Sequence, residues 1–294
     1  MIDRIRHFLR EKIARGSLAW RIAVGALYAV RYASVLAHYG ALKGRHGLEI
    51  GGPSRNFRDG VLPVYPLVAS LDGCNFASET VWEGRIEEGW TYKYHPRRKA
   101  GRQYICDATD LGVIPAGSYD LILTSHVIEH IANPIKALRE WIRVLKTGGI
   151  LLLVAPHRDG ADEAPRPTTT LEHLVDDFRR GAGEDELTHL QETLNWMDSR
   201  PGVPEAEKEA FRKHISDNYN TRGLHHHVFD TNLAAALIDH AGMQILSVRP
   251  LPPCHIVIMA EKAAAPEKID NAAFLGPHAG YRRKSPFPSD RTGL

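Results

Sequence analysis

The chain has 294 residues, 43% of them hydrophobic and 24% charged, an ordinary globular balance that excludes a wholly disordered chain and leaves ample material for a buried core. The formal net charge is +2, so no global field argues for nucleic acid as a partner. Three cysteines, Cys74, Cys106 and Cys254, are odd in number and widely spaced. That fits neither a disulfide framework nor a zinc knuckle, and it points to a reducing, cytoplasmic setting.

Residues 1–46 predict an N-terminal helical segment. Ile2, Ile5, Leu9 and Ile13 recur at helical spacing, and residues 1–50 carry nine Lys/Arg against three Asp/Glu. Packing on the protein body is the expected role, with peripheral contact to an anionic membrane surface as the alternative. The apolar stretch Ile22–Val30 is too short to span a bilayer, which needs about 20 residues.

From residue 47 short apolar runs alternate with helical patterns, the signature of βαβ units around a parallel sheet. Strands are predicted at Gly47–Ile50, Leu67–Leu71, Arg102–Cys106, Tyr119–Thr124 and Ile150–Ala155. Asn133 and Pro134 should start a helix whose inner face is Ile135, Leu138, Ile142 and Leu145. A later helix at Thr231–His240 precedes two strands, Gln244–Val248 and His255–Ala260. Residues 157–225 are too long for a plain connection. They predict a lid or substrate-facing insertion with helices at Leu171–Arg180 and Ala206–Ile215, where Arg166, Glu172 and His173 are substrate-contact candidates. Residues 263–294, rich in Ala, Pro and Gly, read as a flexible tail.

Chemistry in such a sheet is expected at the carboxyl ends of the strands. Glu49-Ile50-Gly51-Gly52 puts an acid and a glycine turn at the first; glycine lets backbone approach a ligand closely. Asp72 lies 21 residues past Gly51, where a carboxylate can accept ribose hydroxyl protons, although an Asx turn with Gly73 is the rival reading. Asp107-Ala108 closes the third strand and could accept from an adenine amino group or cap a helix. A dinucleotide cradle is disfavoured, because glycine would be needed at 51, 53 and 56 and the chain has Gly51, Pro53 and Asn56.

The run from Leu48 to Gly51, the run Cys106–Leu111, and above all Tyr119–His130 continuing through Asn133-Pro134 to Gly149 resemble a class I S-adenosylmethionine-dependent methyltransferase of the type 11 kind. The resemblance is close over residues 47–156 and loose over 228–260. It implies an α/β, Rossmann-like, doubly wound and mostly parallel seven-stranded sheet with an antiparallel edge strand. The methyltransferase domain would span residues 47–262, with the insertion at about 157–225. By the same resemblance Glu49, Gly51 and Gly52 would sit at the methionine end of S-adenosylmethionine, Asp72 at its ribose and Asp107-Ala108 at its adenine. Ser125-His126 would lie beside the transferred methyl. Pro53 departs from the family's second loop glycine and removes a backbone donor.

Nine of the sixteen histidines fall between His126 and His227. His126, His130 and His157 are the candidates for a proton-accepting base. His126–His130 matches H-x-x-E-H, but a zinc peptidase needs a continuous helix there and Pro134 interrupts it. The segment is also similar to the Glu-Val-x-Glu-His of O-methyltransferases that bind a divalent ion; a structural His130 without metal is the reading preferred. The acceptor expected is an oxygen or nitrogen of a small molecule or glycan, with no nucleic-acid partner. The rival functions are a non-catalytic cofactor-binding scaffold of the same fold and a His-dependent metalloenzyme.

Overall fold

The structure is a computed structural model and describes residues 40–58, 60, 62–161 and 165–292. Residues 44–294 form one compact unit, separate from residues 1–43. The predicted N-terminal helices and their surface contact lie outside the described residues.

Strands β1 (His46–Ile50), β2 (Ser70–Asn75), β6 (Gly101–Ile105), β7 (Tyr119–Ser125) and β8 (Leu145–Pro156) pair in parallel. The antiparallel members are β5 (Gly89–Tyr92) against β6, and β10 (His255–Glu261) between β8 and β9 (Gln244–Leu251). The order is β5-β6-β2-β1-β7-β8-β10-β9. The α/β, mostly parallel, Rossmann-like architecture is therefore present, with eight strands where seven are expected. The extra one, β5, comes from a segment with little apolar alternation. A separate hairpin pairs β3 (Glu79–Thr80) with β4 (Gly84–Arg85).

Leu151 to Ala155 are all buried, as a strand covered on both faces requires. After a four-residue turn of helix, α1 (Arg55–Arg58), comes α2 (Pro134–Val144). Asn133 caps it by accepting from the Lys136 amide, with Pro134 in the first turn. Ile135, Leu138 and Trp141 are buried on its inner face. Trp141 rather than Ile142 fills the third position, and its indole donates to the Ala108 carbonyl at 3.0 Å. The helix thereby ties the β6 end to the sheet.

The second strand needs a correction that moves a site residue. Pairing sets Leu48 beside Asp72 and Ile50 beside Cys74, so Asp72-Gly73 lies inside the strand instead of ending it. The dipeptide mimics a turn signal, but its glycine serves packing. A Cβ on Gly73 would lie 2.2 Å from Tyr92 Cδ2, so the β5 aromatic ring requires the space.

The insertion carries α3 (Leu171–Arg180), α4 (Leu190–Ser199), α5 (Glu205–Ser216) and α6 (Asn218–Thr221), and α7 (Thr231–His240) precedes β9. The tail is not loose. Ala279, Tyr281, Ser285, Phe287 and Asp290 are all buried, because Asp290 supplies the partner of a buried histidine at the end of β8. Among the described residues, no helix is long and apolar enough to cross a membrane.

Candidate functional site

Strands β1, β2, β6 and β7 end flush, with Ile50 level with Cys74 and Thr124, and Asn75 level with Ile105. The residues just beyond open a cavity of about 440 Å³, a size typical of small-molecule sites. Gly51, Asn75, Phe76, Cys106, Asp107, Ala108, Ser125, His126, Glu129 and His130 line its floor and walls. Thr80, Trp82 and Glu83 of the small hairpin border it, as do Glu184, Arg222 and His225 of the insertion.

Gly51 takes φ +73°, and a Cβ there would meet Val127 Cγ2 at 2.5 Å. The position therefore demands glycine on two counts. Behind it, Glu49 is fully buried and does not line the cavity. Its oxygens accept from Tyr65 (2.8 and 3.0 Å), Tyr92 (2.6 Å) and the Ser54 amide (3.0 Å). Glu49 thus anchors the glycine loop from behind and stands off the cavity wall, where the expectation set it at the cofactor's methionine end. Burial pushes its carboxyl up to about 7 against the pull of those hydrogen bonds.

A carboxyl raised from 4.5 to about 7 binds its proton more tightly in the folded state. Stability then declines as pH rises from about 4.5 to 7, by roughly 3 kcal/mol at about 1.4 kcal/mol per pKa unit. Glu49→Gln, which removes the titration, should gain thermal stability relative to the wild type as pH is raised from 5 to 8. Parallel melting profiles across that range would refute this account.

Asp72 also lies off the cavity. It accepts from the Arg102 amide (2.7 Å) and the Tyr119 hydroxyl (2.8 Å), mid-strand, and a different residue stands at the strand end. That residue is Asn75, 6% exposed. Its amide group donates to the Gly52 carbonyl (3.3 Å), while its Oδ1 is buried with no partner. An orphaned acceptor at a cavity edge is costly unless a ligand donates to it. Locating it from sequence required the correct end of β2.

Asp107 and Ala108 do line the cavity, but both Asp107 oxygens are engaged. One accepts from the Thr109 amide (2.7 Å), the other from Arg222 (2.9 Å). Arg222, which sequence reasoning did not single out, also pairs with Glu184 (3.0 Å) and lies 5.2 Å from the Phe76 ring centre. Cys74 and Cys106 bring their sulfurs to 3.4 Å. Ser125 accepts from Asn56 (2.9 Å).

At the other end His126, His130 and His225 line the cavity. His126 has φ +55°, an uncommon conformation for a non-glycine residue. Its Nε2 is 2.9 Å from His255 Nδ1, and its Nδ1 is 3.6 Å from Glu129. His130 makes a backbone hydrogen bond with Leu224, and its Nδ1 is buried with no partner. Its ring lies edge-on to His225 at 4.3 Å and to Trp82 at 5.4 Å. Burial, then His255 and His225, push His126 down to about 3, and burial likewise holds His130 well below its ordinary range. Both rings are neutral near pH 7, which is the state a base or a metal ligand needs. Imidazoles held this low are weak bases. One atom each from Glu129, His130 and His225 lies within 4.8 Å of the others.

His157 is elsewhere. It is fully buried, off the cavity, and held between the Asp290 carboxylate (3.2 Å) and the Phe287 ring (3.8 Å between centres). Its place at a strand end suggested chemistry, but its ring faces the tail. Arg166 pairs with Glu192 at 2.7 Å, and neither it, Glu172 nor His173 lines the cavity.

The residues present fit an adenosine-bearing cofactor. The glycine turn admits close backbone approach, Asn75 Oδ1 offers an unmet acceptor, and Phe76 with Cys106–Ala108 gives a mixed apolar and polar wall. Residues 90–153 match the model of the family described as "Methyltransferase domain". A ubiquinone biosynthesis O-methyltransferase of Caulobacter vibrioides is 31% identical over 91 residues, 31% of this chain; the match spans about a third (32%) of that relative's length. Among solved structures, an S-adenosylmethionine dependent methyltransferase from Mesorhizobium loti aligns with 79% of this chain and 97% of its own, at 12% identity and TM-score 0.46. A SAM dependent methyltransferase from Aquifex aeolicus aligns with 78% and 87%, at 14% identity and TM-score 0.37.

Proposed function

We propose that this chain, a class I S-adenosylmethionine-dependent methyltransferase by its sheet order and its match over residues 90–153, methylates an oxygen or nitrogen nucleophile of a small molecule or glycan. The bound cofactor would supply an already electrophilic methyl group. The protein's share of the work is then to orient the acceptor and remove its proton. An oxygen acceptor is favoured by the relative's printed name, a ubiquinone biosynthesis O-methyltransferase.

Asn75 Oδ1 is the acceptor for the ribose hydroxyls, and Gly51 floors the methionine end. His130 Nδ1, with its lone pair buried beside Glu129 and His225, is the proton acceptor or, with those two residues, the holder of a divalent cation that acidifies the acceptor. His126 positions Glu129. The observation that carries the reading is a single cavity joining an orphaned Asn75 acceptor at one end to an orphaned imidazole nitrogen at the other.

Calorimetric titration with S-adenosylhomocysteine tests it residue by residue. Asn75→Ala should weaken binding by about 3- to 10-fold, the worth of one neutral hydrogen bond. Asp72→Asn should leave affinity within about twofold while lowering thermal stability, because it loses only internal partners. The reverse ranking would return the ribose to Asp72. His130→Ala should retain cofactor binding and lose methyl transfer to phenolic or sugar acceptors. If the wild type binds the cofactor but methylates none of them, the scaffold reading gains.

A further inference from the structure

A second histidine cluster stands outside the cavity, within the insertion. His173 is on α3, His189 immediately precedes α4, and His227 lies in the extended segment before α7. One ligand atom from each lies within 4.8 Å of the others, although 54 residues separate the first from the last. Asp177, one turn after His173 on the same helix, lies against two of them. His173 Nε2 is 2.9 Å from His189 Nε2 and 3.1 Å from Asp177 Oδ2, and His227 Nε2 is 3.9 Å from that oxygen. None of the four lines the cavity.

Hydrogen bonding alone leaves this arrangement unsatisfied. A neutral His173 Nε2 carries either one hydrogen or one lone pair. If it carries the hydrogen and gives it to Asp177, His189 Nε2 faces a nitrogen with nothing to accept or donate. If it carries the lone pair, that pair faces the carboxylate. In agreement, Asp177 Oδ2 is buried and makes no hydrogen bond, and Arg180 takes only the other oxygen (2.5 Å). His227 is 1% exposed; its Nε2 donates to the Ala132 carbonyl (3.2 Å), which leaves Nδ1, buried without a partner, as the nitrogen with a lone pair for a cation. A carbonyl holding one ring nitrogen is the usual arrangement around a metal-bound imidazole. A cation accepts every lone pair at once, and a tetrahedral zinc site holds its ligand atoms about 3.3 Å apart.

We propose that His173, His189, His227 and Asp177 form a site for one zinc-class divalent cation that fastens the insertion to the carboxyl edge of the sheet. Three imidazoles and a carboxylate suit zinc or cobalt better than magnesium or calcium, which prefer oxygen ligands. With all four positions filled by protein, the role is structural. The backbone of His227 connects it to the sheet side, where its amide donates to the Glu129 carbonyl (3.3 Å). Loading this site therefore ties α3 and the approach to α4 to the segment that carries the cavity residues Arg222 and His225.

The test is titration of the EDTA-treated full chain with Co2+, read by its visible absorption, followed by competition with Zn2+. The wild type should show the bands of one equivalent at a four-coordinate site, beyond any taken up in the cavity, and Zn2+ should raise its melting temperature. His173→Ala/His189→Ala should weaken Co2+ by more than the about 10- to 100-fold that loss of an outer partner costs, and Zn2+ should no longer stabilise it. The equivalent should persist in His130→Ala, which separates this site from the cavity histidines. Should the double variant fail to fold, His173→Gln at its partly exposed position carries the same comparison. Absence of binding in the wild type, retention in the His173 variants, or loss in His130→Ala alone overturns the proposal.

Discussion

Gly52→Ala should weaken binding of S-adenosylhomocysteine by at least about 100-fold, near 3 kcal/mol at 1.4 kcal/mol per decade. The added Cβ would lie 2.3 Å from the Glu49 carboxyl carbon and 2.3 Å from the Tyr92 hydroxyl. Neither can yield. Glu49 is pinned by Tyr65, Tyr92 and the Ser54 amide, and Tyr92 lies over Gly73. The loop itself must move, and two binding elements go with it. The Gly52 carbonyl leaves Asn75, and Gly51 leaves its close seat against Val127. Calorimetry on the variant, with circular dichroism to show that it folds, reads the effect. A change smaller than threefold would mean that the glycine loop is not part of the ligand seat.

Asp290→Ala should cost about 3–5 kcal/mol of stability, the usual penalty for removing one member of a buried ionic network. Asp290 is 3% exposed. One oxygen meets His157 (3.2 Å), and the other accepts from Thr231 (2.7 Å) and Ser285 (2.6 Å). The truncation strands three buried polar groups from the end of β8, the start of α7 and the tail. At about 2–4 °C per kcal/mol for a chain of this class, the melting temperature should fall by roughly 10 °C. Asp290→Asn, which keeps an acceptor, should recover part of the loss. A shift of only a degree or two would show that the tail adds little to the body.

The parts of the fold legible in the sequence are those set by local chemistry. Asn133-Pro134 starts its helix, the unbroken apolar run Ile150–Ala155 forms a doubly covered strand, and Thr231–His240 stands as predicted. The misreadings share one cause, a partner distant in sequence. Asp72-Gly73 looks like a turn because the demand for glycine comes from Tyr92, on another strand. His157 looks catalytic because its carboxylate is 133 residues away. The tail looks loose because its composition does not reveal that Asp290 completes a buried network. At the site, the row Gly51, Asp107, Ala108, Ser125, His126 and His130 was legible, whereas Asn75, Phe76 and Arg222 were not. The first two depend on where β2 ends, and Arg222 reaches Asp107 across 115 residues.

The separation between His157 and Asp290 bears on how the protein is made. While a nascent chain leaves the ribosome, β8 can be synthesised and paired with β7, itself paired with β1, long before residue 290 exists. During that interval the imidazole lacks its Asp290 hydrogen-bond partner, and the face that Phe287 will cover is open to water and to chaperones. Completion of the domain therefore waits on residue 290, and slowed translation through the first 260 residues should not by itself bring it forward.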